Sequence, residues 1–288
     1  MRKKLYSKAG PGGGGQKRRR RRRQPAGASS RGGGVAAASL ADLTSGELTS
    51  GDLREVPAEA VVPDASLDFD HLHHSFYALA KRGFDIAASV VALAIFGLML
   101  PLLTLIIKLD SPGPVFYSQE RVGLNRRRSR DRYGGEDRRK VLQPGRPIKV
   151  FKLRSMTVNA EANGPQLAKA NDVRVTRVGR FLRRSRLDEV PQFINVLKGE
   201  MSLIGPRPER MVFVRKLEKR IPNYSDRLLV LPGITGLAQV INGYDDGLDS
   251  MHRKVELDRE YIKKAGFRQD GSILLSTVTV VLKGEGAR

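Results

Sequence analysis

Arg183–Glu209 reads RRSRLDEVPQFINVLKGEMSLIGPRPE. Two adjacent carboxylates, Asp188 and Glu189, stand among and after four arginines, Arg180, Arg183, Arg184 and Arg186. Leu187, Val190, Ile194 and Leu197 then recur at helical spacing. Pro191 has no N–H and is tolerated only in the first turn of a helix. The spacing therefore predicts a helix that begins within a few residues of Asp188, with Ser185 or a neighbour as its cap and Gly199 as its stop. Acids at a helix N-terminus already suit the helix dipole, which is a purely structural reading of the pair. The arginines support a chemical one. One carboxylate can attack phosphorus, the other can hold a divalent metal, and guanidinium groups can neutralise the phosphate oxygens that repel an anionic nucleophile.

Downstream, Pro206 and Pro208 fix the backbone on either side of Arg207. A rigidly presented guanidinium suits bidentate phosphate binding, although a stiff connecting turn needs the same prolines. Residues 209–220 read as a basic helix. Pro232-Gly233-Ile234-Thr235-Gly236 reads as a turn whose glycines allow the backbone to approach a ligand closely. Arg253–Ala265 is predicted helical and closed by Gly266. Ile273–Leu282 is apolar but too short to span a bilayer, so it packs in the core or rests on a membrane.

Upstream, Val115–Gln119 and Ile148–Leu153 read as two short strands. Lys152 and Arg154 alternate with apolar neighbours at the end of the second, so both are predicted on one face, toward phosphates or toward solvent. The arginine-rich stretch 124–147 is an insertion between the strands. Ile86–Ile107 is 22 residues without a charge, roughly 33 Å as a straight helix and long enough to cross a bilayer. Lys81 and Arg82 precede it and Lys108 and Arg121 follow it, and Pro101 lies inside it. A single crossing is the simple reading. A helix that bends near Pro101 and returns to the same face fits the charges and the proline. Phe69, Leu72, Phe76 and Leu79 predict an interfacial amphipathic helix just before it, with His71, His73 and His74 as polar residues of that interface.

The 288 residues contain no cysteine and carry a formal net charge of +22. Disulfides and cysteine-based metal or nucleophile sites are thereby excluded. Residues 1–70 hold 13 Lys/Arg against 8 Asp/Glu, and residues 71–288 hold 39 against 22. The basic excess is therefore not confined to the tail, and it points to polyanionic partners. Residues 1–65 read as a disordered tail, basic first and acidic second. Its run Arg18–Arg23 suits anionic lipid at about 1 kcal/mol per residue. Aromatics do not interleave with that run, so no nucleic-acid partner is expected.

KRGFDI, LPLLTLIIKLDSPGPVFYSQERVG, FKLRSM, the Arg183–Glu209 stretch and PGITGLAQV occur in this order. Together they resemble the bacterial sugar transferases, the monotopic polyprenyl-phosphate phosphoglycosyl transferases, over about residues 76–288. The resemblance implies transfer of a sugar-1-phosphate from a UDP-sugar to undecaprenyl phosphate or a similar acceptor, with release of UMP. This would be the initiating membrane step of exopolysaccharide, capsule, O-antigen or glycan assembly. It implies Asp188 as the nucleophile that forms a phosphosugar-aspartyl intermediate, and Glu189 as a ligand to Mg2+. It implies phosphate or nucleotide contacts at Arg183, Arg207 and the loop Pro232, Gly233, Thr235 and Gly236, beside Lys152 and Arg154 from the strand reading. It also implies a re-entrant helix that leaves by the cytoplasmic face of the inner membrane. Many members have Ser-Pro at the break, where this chain has Leu100-Pro101.

The expected architecture is α/β and helix-rich: a tail (1–65), an interfacial and a re-entrant membrane helix (66–108), and a cytosolic catalytic domain (109–288) with a small β-hairpin. The expected partners are the UDP-sugar, the polyprenyl phosphate and the cytoplasmic leaflet, with a homodimer left open. The competing reading is a membrane-anchored basic binding or scaffold protein without catalysis, which explains the charge and the anchor but not the ordered motifs.

Overall fold

The first described element is a helix of 35 residues, α1 (Phe76–Asp110). The structure, a computed structural model, describes residues 75–125, 144–162, 164, 172–242 and 248–283. The predicted tail, Phe69, Leu72, the three clustered histidines and residues 126–143 of the insertion lie outside them. Ser75 caps α1, its Oγ accepting from the Ala78 N–H at 3.3 Å. The described residues of the predicted interfacial and membrane helices lie in one element. Phe76 and Leu79 occupy the first turns of the same helix that carries the apolar run, and helical backbone continues on both sides of Pro101. Pro101 removes one internal hydrogen bond, but the flanking turns keep theirs, so any bend is taken up within one element.

Leu93, Phe96, Leu100, Leu103 and Ile107 are spaced by three and four residues, one stripe of a helix. This stripe packs on Val115, Leu153 and Leu182, and on Leu187 and Val190, which bracket the Asp188–Glu189 pair. The other side of α1 exposes Val90, Val91, Ile95, Leu98, Leu102, Leu105 and Leu109. α1 is long and apolar enough to cross a membrane, and only 17% of its most apolar 18-residue window is buried among the described residues. Both of its ends are tied to the rest of the chain. Near the start, Lys81 pairs with Asp270 at 2.7 Å and Arg82 donates to the carbonyls of Val196 and Leu197 at 2.7 and 3.0 Å. Asp85 accepts from the Leu203 N–H at 3.1 Å. At the far end, Arg154 donates to the carbonyls of Ser111 and Pro112 at 2.6 and 2.8 Å, and Asp110 accepts from the Val178 N–H at 3.1 Å.

The predicted hairpin is present as β1 (Phe116–Val122) and β2 (Pro147–Leu153), antiparallel, with Tyr117 opposite Lys152. Val122 of β1 and Ile148, Val150 and Leu153 of β2 are its buried residues. After α2 (Arg177–Arg184), a 3₁₀ turn (Leu187–Gln192) leads into α3 (Phe193–Leu197). A second sheet was not expected: β3 (Ser202–Ile204) runs parallel to β4 (Gly233–Thr235). Three-residue strands are too short to show alternation in sequence. Between them lie α4 (Met211–Glu218) and a 3₁₀ turn at Tyr224–Leu228. The chain continues through α5 (Leu237–Ile241), α6 (Leu248–Lys264) and α7 (Phe267–Lys283). The helices predicted at 209–220 and 253–265 correspond to α4 and α6. In α7, Ile273 is buried while Leu275, Val278 and Leu282 are exposed, so the apolar segment packs one side in the core and presents the other outward.

The new sheet also revises the role of the Pro-Gly-Ile-Thr-Gly segment. A Cβ on Gly233 would lie 2.1 Å from the Gly205 nitrogen, and one on Gly236 would lie 2.2 Å from the Gly205 oxygen. The close backbone approach predicted for a ligand is made to Gly205. Thr235 exchanges a hydrogen bond with Thr277 at 2.7 Å. Gly233→Ala should therefore destabilise the protein by about 2 kcal/mol or more, because two main chains must move apart. Gly271→Ala, in mid-α7 with nothing within 4 Å of the added carbon, should stabilise it by about 0.5–1 kcal/mol. Thermal melting of both variants checks the contrast.

Candidate active site

The backbone around the carboxylates is not the single capped helix that the spacing predicts. The Ser185 hydroxyl donates back to the carbonyls of Phe181 and Leu182 at 2.9 and 3.2 Å, closing α2 instead of capping the next helix. Arg186 adopts a left-handed conformation, φ 59°, which is uncommon for a residue with a side chain. The chain reverses there, and the next six residues form a 3₁₀ turn with Asp188 and Glu189 at its start. Pro191 fits because its nitrogen needs no acceptor so early in a helix. Gly199, at φ 71°, ends α3 as expected.

The two carboxylates are both buried, 6% exposed each, and they are treated very differently. Glu189 Oε1 accepts from Lys152 Nζ at 2.8 Å and from Arg207 Nη2 at 2.7 Å. Its Oε2 faces Arg186 Nη1 at 3.9 Å. Burial pushes the Glu189 carboxyl up, but Arg207, Lys152 and Arg186 outweigh it and hold the group well below the usual range. It is ionised at any working pH. Asp188 has no side-chain hydrogen bond or ion pair among the described residues. Burial pushes its carboxyl up to about 6, against the field of Lys152, with the Glu189 charge adding to the rise and Arg183 and Arg186 opposing it. One carboxylate is clamped; its neighbour is near cations but held by none.

Lys152, Glu189 and Arg207 are thus brought together. Arg183 sits in the field of Asp188 and donates from Nε to Ser155 Oγ at 2.9 Å. Arg154 does not join them: it is buried and donates to main-chain carbonyls after α1. Pro232 lines a small pocket with Pro206, Arg207 and Arg227, whereas Gly233 and Gly236 are packed on Gly205 and Thr235 is bonded to Thr277. Arg186, one of the four arginines read around the pair, is the third cation on Glu189. Two contributors are additional to the sequence reading. Ser155 holds Arg183. Asn195, fully buried, donates from Nδ2 to the Lys149 carbonyl and to Glu200 at 2.7 Å each. Its Oδ1 accepts from the Phe151 N–H at 3.2 Å, and it thereby staples β2 to α3 beside Lys152. An amide among the apolar residues of that stretch was the available signal.

The sequence model of the bacterial sugar transferases matches residues 76–284. The chain belongs to the bacterial sugar transferase family. This sugar transferase is 42% identical over 228 residues to a UDP-N-acetylgalactosamine-undecaprenyl-phosphate N-acetylgalactosaminephosphotransferase of Aeromonas hydrophila, covering 76% of this chain and 49% of that protein. It is 38% identical over 213 residues to a UDP-glucose:undecaprenyl-phosphate glucose-1-phosphate transferase of Caulobacter vibrioides, covering 73% and 72%. With an Escherichia coli protein of that same description it shares 41% over 203 residues, 69% of this chain and 39% of that one. The matched part thus spans about half or less of two of these relatives and most of the third.

Asp188 gives this chain a pH signature. Its carboxyl titrates higher in the folded chain than its ordinary value of 3.8, so the native state binds the extra proton between about pH 4 and 6 and stability falls as pH rises through that window. Above it the full penalty of a buried, unpaired charge remains. Asp188→Asn should then raise the melting temperature at pH 7.5, by the equivalent of about 1–3 kcal/mol, and the gain should shrink toward zero near pH 4. Melting curves across pH measure it.

Proposed function

We propose that this sugar transferase moves a sugar-1-phosphate from a UDP-sugar to a polyprenyl phosphate such as undecaprenyl phosphate, at the cytoplasmic face of the bacterial inner membrane. The carrying observation is the unequal treatment of Asp188 and Glu189. An Asp188 oxygen attacks the phosphorus that bears the sugar, the bond to the bridging oxygen breaks, and UMP departs. The result is a phosphosugar-aspartyl intermediate. A phosphate oxygen of the polyprenyl phosphate then attacks the same phosphorus, the aspartyl bond breaks, and Asp188 is regenerated. No proton changes hands in either step, so a carboxylate suffices as the nucleophile. A carboxylate with no donor on it is the more reactive of the two, and Lys152, Arg183, Arg186 and Arg207 supply the charge that an incoming diphosphate needs.

Among the described residues, no cluster of three Asp, Glu or His side chains could hold a metal by itself. A Mg2+ ion commonly uses one or two carboxylates and completes its shell with phosphate oxygens and water. Glu189 fits that pattern through Oε2, whose ion-pair partner among the described residues is Arg186 at 3.9 Å. When bound, Mg2+ would draw charge off the diphosphate and so ease UMP departure.

The activities of the relatives support this reading over a scaffold without catalysis. A monotopic placement is supported by α1 itself. Residues near both of its ends bond to the same polar unit, and one stripe along it packs there, leaving the opposite apolar face for one leaflet. The step would begin exopolysaccharide, capsule, O-antigen or glycan assembly.

In lipid discs with undecaprenyl phosphate, Mg2+ and a panel of UDP-sugars, the protein should release UMP with at least one donor. Asp188→Asn should reduce release about 10³-fold or more, without loss from the membrane fraction. Release that survives Asp188→Asn would remove that residue from the nucleophile role. Below pH 6, kcat/KM should fall about tenfold per unit as Asp188 takes up its proton. The chain has no cysteine, so Gly83→Cys and Lys108→Cys can be labelled singly with an impermeant maleimide. Both should react in inverted vesicles and neither in intact spheroplasts; opposite labelling would show a crossing helix.

A further inference from the structure

Arg207 presents its guanidinium from a turn that cannot be fixed in the ordinary way, because Pro206 and Pro208 have no N–H to donate. The turn is held through its carbonyls. Four consecutive ones accept from four donors. Pro206 O accepts from the Gly233 N–H at 2.9 Å, and Glu209 O from the Val122 N–H at 2.8 Å. Arg207 O accepts from Arg227 Nη2 at 3.2 Å, and Pro208 O from Arg121 Nη1 at 3.0 Å. The two inner carbonyls, those of Arg207 and Pro208, are therefore gripped by side chains.

Both gripping groups are themselves oriented. Arg227 is buried and pairs with Asp258 of α6, through Nε at 3.1 Å and Nη2 at 2.8 Å. Its Nη1 donates to the Tyr224 hydroxyl at 2.8 Å. Arg121 donates to Gln119 and lies 3.4 Å from a Glu209 oxygen. A buried ion pair such as Arg227–Asp258 adds little net stability compared with apolar packing of the same volume. A geometric role accounts for it better: a displacement of about 1 Å at a group that binds the reacting phosphate can cost on the order of 10² in rate.

We propose that Arg121 and Arg227, the latter oriented by Asp258, are positioning residues that clamp the Pro-Arg-Pro main chain and thereby hold the Arg207 guanidinium on Glu189 and toward the donor diphosphate. The inference rests on the transferase reading for what Arg207 binds. It acts entirely through Arg207, and that makes it separable from general destabilisation.

The test uses the full chain in lipid discs. Removing Arg227 would strand Asp258 without a cation, so the variants are Asp258→Asn, which keeps shape and removes charge, and Arg121→Lys. A lysine keeps the charge but cannot serve the Pro208 carbonyl, Gln119 and Glu209 together. Each is made in the natural chain and in Arg207→Ala. Two readouts are taken well below each variant's melting temperature: kcat/KM for the UDP-sugar, and the Kd for UDP alone. Each single change should weaken both readouts at least tenfold in the natural chain and less than twofold in Arg207→Ala, where the residue it positions is gone. Equal factors in the two backgrounds, or less than twofold in the natural chain, would overturn the clamp. Should Asp258→Asn not fold, Arg121→Lys decides alone. A natural chain that binds UDP but releases no UMP would sink the transferase reading, and the clamp would still be judged on Kd.

Discussion

The buried Glu189 carboxylate and the two cations that meet on its Oε1 are the constraint on which the site depends. Lys152 reaches it from β2 and Arg207 from the turn after β3. Removing either cation would leave the buried carboxylate with one partner fewer on Oε1, and removing Glu189 would leave Lys152 and Arg207 facing each other without the charge that joins them. The hairpin, the 3₁₀ turn and the Pro-Arg-Pro turn are therefore locked to one another by electrostatics as well as by packing. Asp188 gains its character from this arrangement by exclusion. The donors nearest to it are committed to its neighbour, and it is left buried, ionisable and unheld.

That cluster is also coupled to the apolar helix. The stripe from Leu93 to Ile107 packs on Leu187 and Val190, the residues on either side of the carboxylate pair. Asp85, Arg82 and Lys81 tie the start of α1 to β3, α3 and α7. In the proposed reaction one substrate is water-soluble and the other is anchored in lipid. A helix that offers one apolar face to a leaflet and the other to the catalytic turn would bring the two together without carrying the polar unit through the bilayer.

Local chemistry was legible and tertiary pairing was not. The adjacent carboxylates, the prolines around Arg207 and the alternation in β2 announced themselves through residue type and spacing, and Lys152, Glu189 and Arg207 do meet. The Arg186 reversal was hidden because arginine carries no preference for a left-handed backbone. Arg154 was misplaced because period-two alternation says which side a residue leaves a strand on, and the strand ends at Leu153. The glycines of Pro232–Gly236 were read as allowing close approach to a ligand, whereas the backbone that comes close to them is that of Gly205, in another element that spacing along the chain does not reveal. Asn195 and Arg227 act through main-chain carbonyls, which all residues share, so nothing in the partner's identity could point back to them.

The most direct test of the account is the mass of the intact protein after mixing with its UDP-sugar and Mg2+ in discs that contain no polyprenyl phosphate. The account predicts a fraction heavier by one sugar phosphate, with the added mass on the peptide that contains Asp188, lost on adding undecaprenyl phosphate and never seen in Asp188→Asn. A protein that turns over with both substrates yet never gains mass with the donor alone, or that gains it at another residue, would contradict it.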